Sequence, residues 1–183
     1  MRVISGSAKG RALYAPAGHC SRPTTSAVRE ALFNILFDVS GFIVLDLFAG
    51  TGAVGIEALS RGANSAVFVD NSPESVKIIR KNVEKTGFVQ RSAVIQTDAA
   101  EALKLLSKKN NQFDLIYIDP PYEQTRFIIT ELLLNIKEHG LLRSGGVCVV
   151  ESGKNESAAD YESAGFTFIK QRDYPNARLI FLQ

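Results

Sequence analysis

A chain of 183 residues, 45% hydrophobic and 22% charged, is expected to fold as one globular domain with a real core and a short appendage. No apolar run approaches the roughly 18 residues of a membrane helix, Met1–Gly6 lacks the apolar stretch of a secretory signal, and Cys20 and Cys148 form no CxxC pair. Membrane, secreted, disulfide-framed and zinc-built classes are therefore set aside, and a cytoplasmic, metal-free protein is expected.

The formal net charge of +2 hides an asymmetry. Arg2, Lys9, Arg11, Arg22 and Arg29 stand in residues 1–29 without an acidic residue, so the remainder carries −3. Such a basic arm on a mildly acidic body suits a polyanionic partner, or else is a solubilising tail. Residues 1–41 read as an extension. In it, Val3–Ser5 and Ala12–Tyr14 flank Gly6 and Gly10 as a small hairpin. Arg22-Pro23-Thr24 then precedes a helix whose apolar stripe is Ala27, Val28, Ala31, Leu32, Ile35 and Leu36.

From Phe42 onward, β-rich runs alternate with helical ones. The strands are expected at Phe42–Leu47, Ser65–Asp70, Ala93–Asp98, Phe113–Asp119, Gly146–Glu151, Phe166–Gln171 and Arg178–Leu182. Helices are expected at Gly52–Arg61, Pro73–Thr86, Ala99–Lys108 and Thr125–His139. In the second of these, Val76, Ile79 and Val83 make one apolar face, with Ser72 as N-cap, Pro73 in the first helical position and Gly87 as the stop. Strand–helix alternation implies a parallel sheet with right-handed crossovers. The last two strands, separated by Asp173–Ala177 with Pro175 and Asn176 as turn formers, are expected to pair as a hairpin. The fold class is thus α/β: a seven-stranded, mostly parallel sheet with an antiparallel C-terminal hairpin strand, helices on both faces, and a small N-terminal hairpin-and-helix extension. Residues 1–41 form the extension and 42–183 the main domain.

The segment Asp46-Leu47-Phe48-Ala49-Gly50-Thr51-Gly52-Ala53-Val54-Gly55 joins the first strand to the first helix of that domain. Its glycines match GxGxxG, and Asp70 closes the next strand 20 residues after Gly50, so a dinucleotide site is a serious reading. A pyrophosphate, however, needs anion-friendly surroundings and bare N–H groups at the helix N-terminus. Asp46 and Asp119, both at carboxyl ends of strands, would repel it. They suit S-adenosylmethionine, which carries an ammonium and a sulfonium and no phosphate. Asp70 could bond a ribose diol of either ligand.

Asp119-Pro120-Pro121-Tyr122 follows the apolar run Phe113–Ile118. Two prolines can neither continue a ladder nor enter a helix interior, so the chain leaves the sheet rigidly at its carboxyl edge, where ligands of open α/β sheets bind. The Asp119 carboxylate and the Pro120 carbonyl then form a rigid pair of acceptors beside an aromatic ring. That array suits an exocyclic amino group on a planar base stacked on Tyr122. The acceptors turn the nitrogen lone pair towards the methyl donor and stabilise the transition state more than the ground state. Elsewhere, His19 reads as a surface histidine, Cys148 as a core strand residue, Glu151 as structural, and Lys77, Arg80 and Lys81 as a solvated helix face.

Taken together, the Asp46–Gly55 loop, Asp70, Asp98 and the Asp119–Tyr122 tetrapeptide resemble the class I, S-adenosylmethionine-dependent amino-methyltransferases, whose fold is Rossmann-like. Met1–Gly6 with Lys9-Gly10-Arg11, Arg22-Pro23-Thr24, Val28–Asn34, Leu45–Gly52 and Glu57–Gly62 narrow this to a resemblance with the RsmD family, over nearly the whole chain. The resemblance implies methylation of guanine N2 in small-subunit (16S) ribosomal RNA, within an assembly particle, by a monomer using S-adenosylmethionine. It implies Asp46, Gly50 and Gly52 at the methionine end, Asp70 at the ribose hydroxyls, and Phe48, Ala49, Thr51 and Asn71 as further cofactor-binding residues. Asp98 and Ala99 would then meet the adenine. Asp119, Pro120, Pro121 and Tyr122 would serve the target base, and Lys9, Arg11, Arg22, Thr24 and Arg29 the RNA. Two departures stand out: Ser26-Ala27 is neutral where the family tends to carry a charged pair, and Tyr174-Pro175-Asn176-Ala177 replaces a Tyr-Gly-x-Thr type of turn. An adenine-N6 methyltransferase acting on DNA or RNA is the alternative enzyme. An NAD(P)-binding oxidoreductase and a non-catalytic RNA-binding module are the alternatives of other classes.

Overall fold

The computed structural model describes residues 1–16, 26–121, 125–153, 161, 164–175 and 177–183, with backbone alone at 125 and 126. The expectations placed on His19, Cys20, Arg22, Thr24, Tyr122 and Asn176 fall outside the described residues. Among the described residues, no helix is long and apolar enough to cross a membrane.

The elements are α1 (Ser26–Leu36), β1 (Ile43–Leu47), α2 (Ala53–Ser60), β2 (Ser65–Asp70), α3 (Pro73–Thr86), β3 (Ser92–Gln96), α4 (Ala99–Lys108), β4 (Phe113–Ile118), α5 (Thr125–Glu138), β5 (Leu142–Ser152), β6 (Phe168–Tyr174) and β7 (Ala177–Leu182). They build one seven-stranded sheet in the order β3-β2-β1-β4-β5-β7-β6. The first five strands of that order are parallel, and β7 runs antiparallel between β5 and β6. The expected Rossmann-like sheet and its C-terminal hairpin are therefore present.

Each central strand has two buried faces, which is why β1 and β4 read as nearly unbroken apolar runs. Val44, Phe68, Leu115, Tyr117 and Val149 pack with α1, α2 and α3 on one side. Leu45, Leu47, Ile116, Ile118 and Val150 pack with α4 and α5 on the other. The caps of α3 are those its sequence implies: Ser72 Oγ accepts from Ser75 N–H, Pro73 opens the helix, and Gly87 closes it in the left-handed region at φ 81°.

Several boundaries moved, each for a local reason. β3 ends at Gln96 because Asp98 is occupied as the N-cap of α4, accepting from Glu101 N–H. β5 begins four residues before Gly146, because a bulge shifts its register against β4 between Phe113 and Leu115 and absorbs the glycines that read as a boundary. β6 starts at Phe168 and runs to Tyr174, which pairs with Ala177, so the turn holds two residues instead of five.

The extension docks on α2 in a way the sequence concealed. Its hairpin has one bridge, Arg2 with Ala12, one residue earlier than expected. Ile4 and Ser5 leave the ladder because their N–H groups donate to the buried Glu57 carboxylate at 2.8 and 2.9 Å. Ser7 N–H donates to Ser60 O at the end of α2, and Ser60 Oγ donates to Ser5 O. Gly6, at φ 80°, passes so close that a Cβ there would lie 1.8 Å from Ser60 O. In α1 the buried face is Val28, Arg29, Leu32 and Phe33, with Ala27 exposed, so the stripe is rotated by about one residue towards Arg29.

Candidate active site

Parallel pairing brings the expected site residues to one edge. Leu47 of β1 is level with Val69 of β2 and Ile118 of β4, so Phe48, Asp70 and Asp119 leave the sheet side by side. Asp70 in turn is level with Gln96, two residues before Asp98. Asp98, Asp70, the Phe48–Gly52 loop and Asp119 therefore form a row over three strand spacings, about 14 Å. Asp70 and Asp119 are half-buried, Pro120 is buried, and Asn71, Asp98 and Pro121 are exposed.

The loop turns sharply, with Phe48, Gly50 and Gly52 all at positive φ of 58°, 56° and 74°. For a bulky residue such as Phe48 this is a strained conformation, held by Ala49 N–H donating to Val69 O. Gly52 has no room for a side chain that would not press on Ile79 and Phe68. Gly55 lets α2 lie against the Phe68 ring, where a Cβ would sit 2.4 Å from it. Two of the N–H groups that a pyrophosphate would seek are already taken by carboxylates. Gly50 N–H donates to Asp70 at 2.8 Å, and Gly55 N–H, in the first turn of α2, donates to Asp46 at 2.9 Å.

Asp46 is 2% exposed. Burial pushes its carboxyl up to about 7; the like charge of Asp70 adds to this, and the Gly55 N–H bond opposes it. A desolvated carboxylate with a second carboxylate nearby is a place for a cation. These residues fit a ligand bearing an ammonium and a sulfonium, and they do not fit a pyrophosphate. Asp98 spends one oxygen on Glu101 N–H, leaving the other for a further donor. Thr51 and Ala99 are buried. Lys9 and Arg11 are exposed, and Arg11 also donates to Lys85 O at the end of α3.

Arg29 corrects an expectation. It is fully buried, its Nε 3.6 Å from Glu57, one terminal nitrogen donating to Arg2 O and another to Met1 Sδ. Burial holds its pKa below the usual arginine value, and the charge and hydrogen bond of Glu57 offset only part of that. An RNA phosphate cannot reach it; Arg29 clamps the extension to α2. Counting charges could not reveal this, because its partner lies 28 residues away on another helix.

Two further polar residues escaped the sequence reading. Glu57, fully buried, accepts from Ile4, Ser5 and Arg61. Asn82, fully buried in α3, donates to Thr51 O in the loop. The available signal was a polar residue on the helix face made by Val76, Ile79 and Val83, since a buried amide there must have partners. Glu151 is buried and accepts from the Tyr117 hydroxyl, in keeping with a structural role. A groove of about 420 Å³ between Arg80, Val83 and Glu84 of α3 and Ser92 and Val94 of β3 lies away from this row and includes none of its residues.

Comparison with known proteins agrees with this arrangement. The Bacillus subtilis (strain 168) protein YlbH is 42% identical over 154 residues, 82% of each chain. Ribosomal RNA small subunit methyltransferase D of Escherichia coli (strain K12) is 33% identical over 156 residues, 83% of this chain and 74% of that one. The solved structure of Escherichia coli YhhF superposes with a TM-score of 0.84 at 29% identity, over 100% of this chain and 97% of that one, and the fold is the Rossmann-like class I methyltransferase fold. The family described as "Conserved hypothetical protein 95" matches residues 1–183, and the chain belongs to it, the RsmD family.

Proposed function

We propose that the protein is an S-adenosylmethionine-dependent ribosomal RNA methyltransferase that modifies the exocyclic N2 of a guanine in 16S ribosomal RNA. The observation that carries this is the capping of the glycine loop by carboxylates. Asp46 on Gly55 N–H and Asp70 on Gly50 N–H leave an acid-lined edge, where a dinucleotide would need an anion-binding one. Membership of a family whose E. coli relative is named ribosomal RNA small subunit methyltransferase D supports the RNA substrate.

S-adenosylmethionine supplies an electrophilic methyl on a cationic sulfur. The chain's residues do the rest. Asp46 attracts the ammonium, Asp70 accepts from the ribose hydroxyls, and Asp98 with Ala99 meets the adenine. Asp119 and the Pro120 carbonyl accept the two N–H bonds of the target amine and aim its lone pair in line. Pro121 stiffens the corner, and Tyr122 stacks on the base. The proton becomes acidic once the nitrogen is methylated, and it passes to Asp119 or to water. The base must leave its stack to reach this edge, which favours a loop nucleotide. Residues 1–41 act as the RNA-contacting extension of the 42–183 domain, with Lys9 and Arg11 exposed for phosphates and Arg22 and Thr24 assigned the same task.

The test is transfer of a tritiated methyl from S-adenosylmethionine to unmodified 16S RNA and to small-subunit particles, followed by nucleoside analysis. Label in N2-methylguanosine is expected, with Asp119→Ala losing at least about 100-fold in turnover while still binding S-adenosylhomocysteine. Label in N6-methyladenosine would replace guanine with adenine, and unchanged turnover in Asp119→Ala would remove its role.

A further inference from the structure

The Asn82 carboxamide bonds directly to two segments that lie far from it and from each other in the chain. Its Oδ1 accepts from Tyr14 N–H at 2.7 Å, and its Nδ2 donates to Tyr14 O at 3.0 Å and to Thr51 O at 2.9 Å. The group thus pairs with both backbone groups of Tyr14, as a neighbouring strand would, while its second N–H reaches the loop between Gly50 and Gly52. Polar side chains inside helices ordinarily bond back to their own turn or face water. This one spends both donors and an acceptor on non-helical backbone, 68 and 31 residues away in sequence.

The two ends differ in kind. Thr51 belongs to the cofactor loop, whose other anchors, the buried Asp46 and the half-buried Asp70, stand on the sheet itself. Tyr14 belongs to the extension: its ring lies 4.3 Å from Lys85 Nζ, and the chain continues from it towards Arg22 and Thr24. An amide is planar. Turning it to follow a displaced Tyr14 draws Nδ2 away from Thr51, and in a buried setting neither group finds water in exchange.

We propose that Asn82 is a positioning residue that couples the RNA-contacting extension to the cofactor loop, so that RNA and cofactor each tighten the binding of the other. This rests on the ribosomal RNA methyltransferase reading above. Linkage requires the effect to be reciprocal and equal in the two directions.

The experiment measures S-adenosylhomocysteine affinity of the full chain with and without 16S RNA, and RNA affinity with and without S-adenosylhomocysteine. The wild type is expected to show the same factor both ways, at least about fivefold. Asn82→Leu and Asn82→Asp, which remove both donors, should bring that factor close to one while each ligand still binds alone. A purely structural role would lower thermal stability and leave the factor unchanged, which overturns the proposal, as does a wild-type factor of one. Should both variants fail to fold, amide exchange in the wild type decides: S-adenosylhomocysteine alone should slow exchange at Tyr14 N–H, and unchanged exchange overturns the coupling. Methyl transfer by the wild type is scored separately. Its absence removes the methyltransferase reading, whereas transfer without coupling removes the role of Asn82 alone.

Discussion

Asp46 carries a conflict between stability and binding. Its folded-state carboxyl titrates near 7 against an ordinary value of 3.8, chiefly because it is buried. The native state therefore holds a proton that the unfolded chain has already released across that interval. The contribution of Asp46 to stability is full below about pH 4 and falls by about 1.4 kcal/mol per pH unit as the pH rises towards 7, then levels off. A bound ammonium reverses the preference, because it needs the carboxylate. Affinity for S-adenosylhomocysteine should thus weaken about tenfold for each unit below pH 7, with a proton released on binding at pH 6. Asn at this position can still accept from Gly55 N–H while carrying no charge. Asp46→Asn should raise the melting temperature at pH 8, change it little at pH 4, and abolish cofactor binding with its pH dependence. Calorimetry in buffers of different ionisation enthalpy checks the proton count, and binding that is flat between pH 5 and 8 in the wild type would show that the charged form of Asp46 is not required.

At the scale of elements, the caps of α3 and the C-terminal hairpin were legible because they depend on near neighbours: Ser72 with Pro73 and Gly87 for the helix, Pro175 before a short return for the hairpin. The docking of the extension was not, since it depends on residues more than 50 positions apart. Met1–Gly6 reads as the start of a hairpin until Glu57 and Ser60 are placed against it. The consequence is testable with two glycines at nearly the same φ, Gly6 at 80° and Gly10 at 82°. An added Cβ at Gly10 meets nothing within 4 Å, whereas at Gly6 it runs into the Ser60 carbonyl. Gly10→Ala should cost the backbone strain alone, about 1–2 kcal/mol. Gly6→Ala should cost about 2–4 kcal/mol, a drop of roughly 4–16 °C in melting temperature. Equal losses in the two variants would mean that the extension does not pack on α2 as described.

For the whole molecule, the charge asymmetry says nothing of how each basic residue of the extension is used: Lys9 and Arg11 are exposed and Arg29 is buried. The parallel sheet gathers Asp98, Asp70, the loop and Asp119 at one edge because strand ends in such a sheet are level, so a linear reading of strand termini translates into one candidate site. Arginines have no such rule. Arg11 and Arg29 look alike in the chain, yet one is exposed and the other is sealed against Glu57. Salt dependence separates them. Each phosphate contact adds about 0.7 to the slope of log affinity against log salt for single-stranded RNA, so replacing Lys9 and Arg11 together with Gln should flatten the slope by up to about 1.4. Arg29→Gln should leave the slope of the folded protein unchanged. Its effect falls on stability: Arg2 O and Met1 Sδ lose their buried donor and Glu57 keeps Arg61 as its one ion-pair partner among the described residues, at a cost of about 1–3 kcal/mol. Titrating 16S RNA binding by fluorescence anisotropy between roughly 50 and 200 mM salt, beside thermal denaturation of the same variants, tests both halves. A slope lost with Arg29 and kept without Lys9 and Arg11 would invert the assignment.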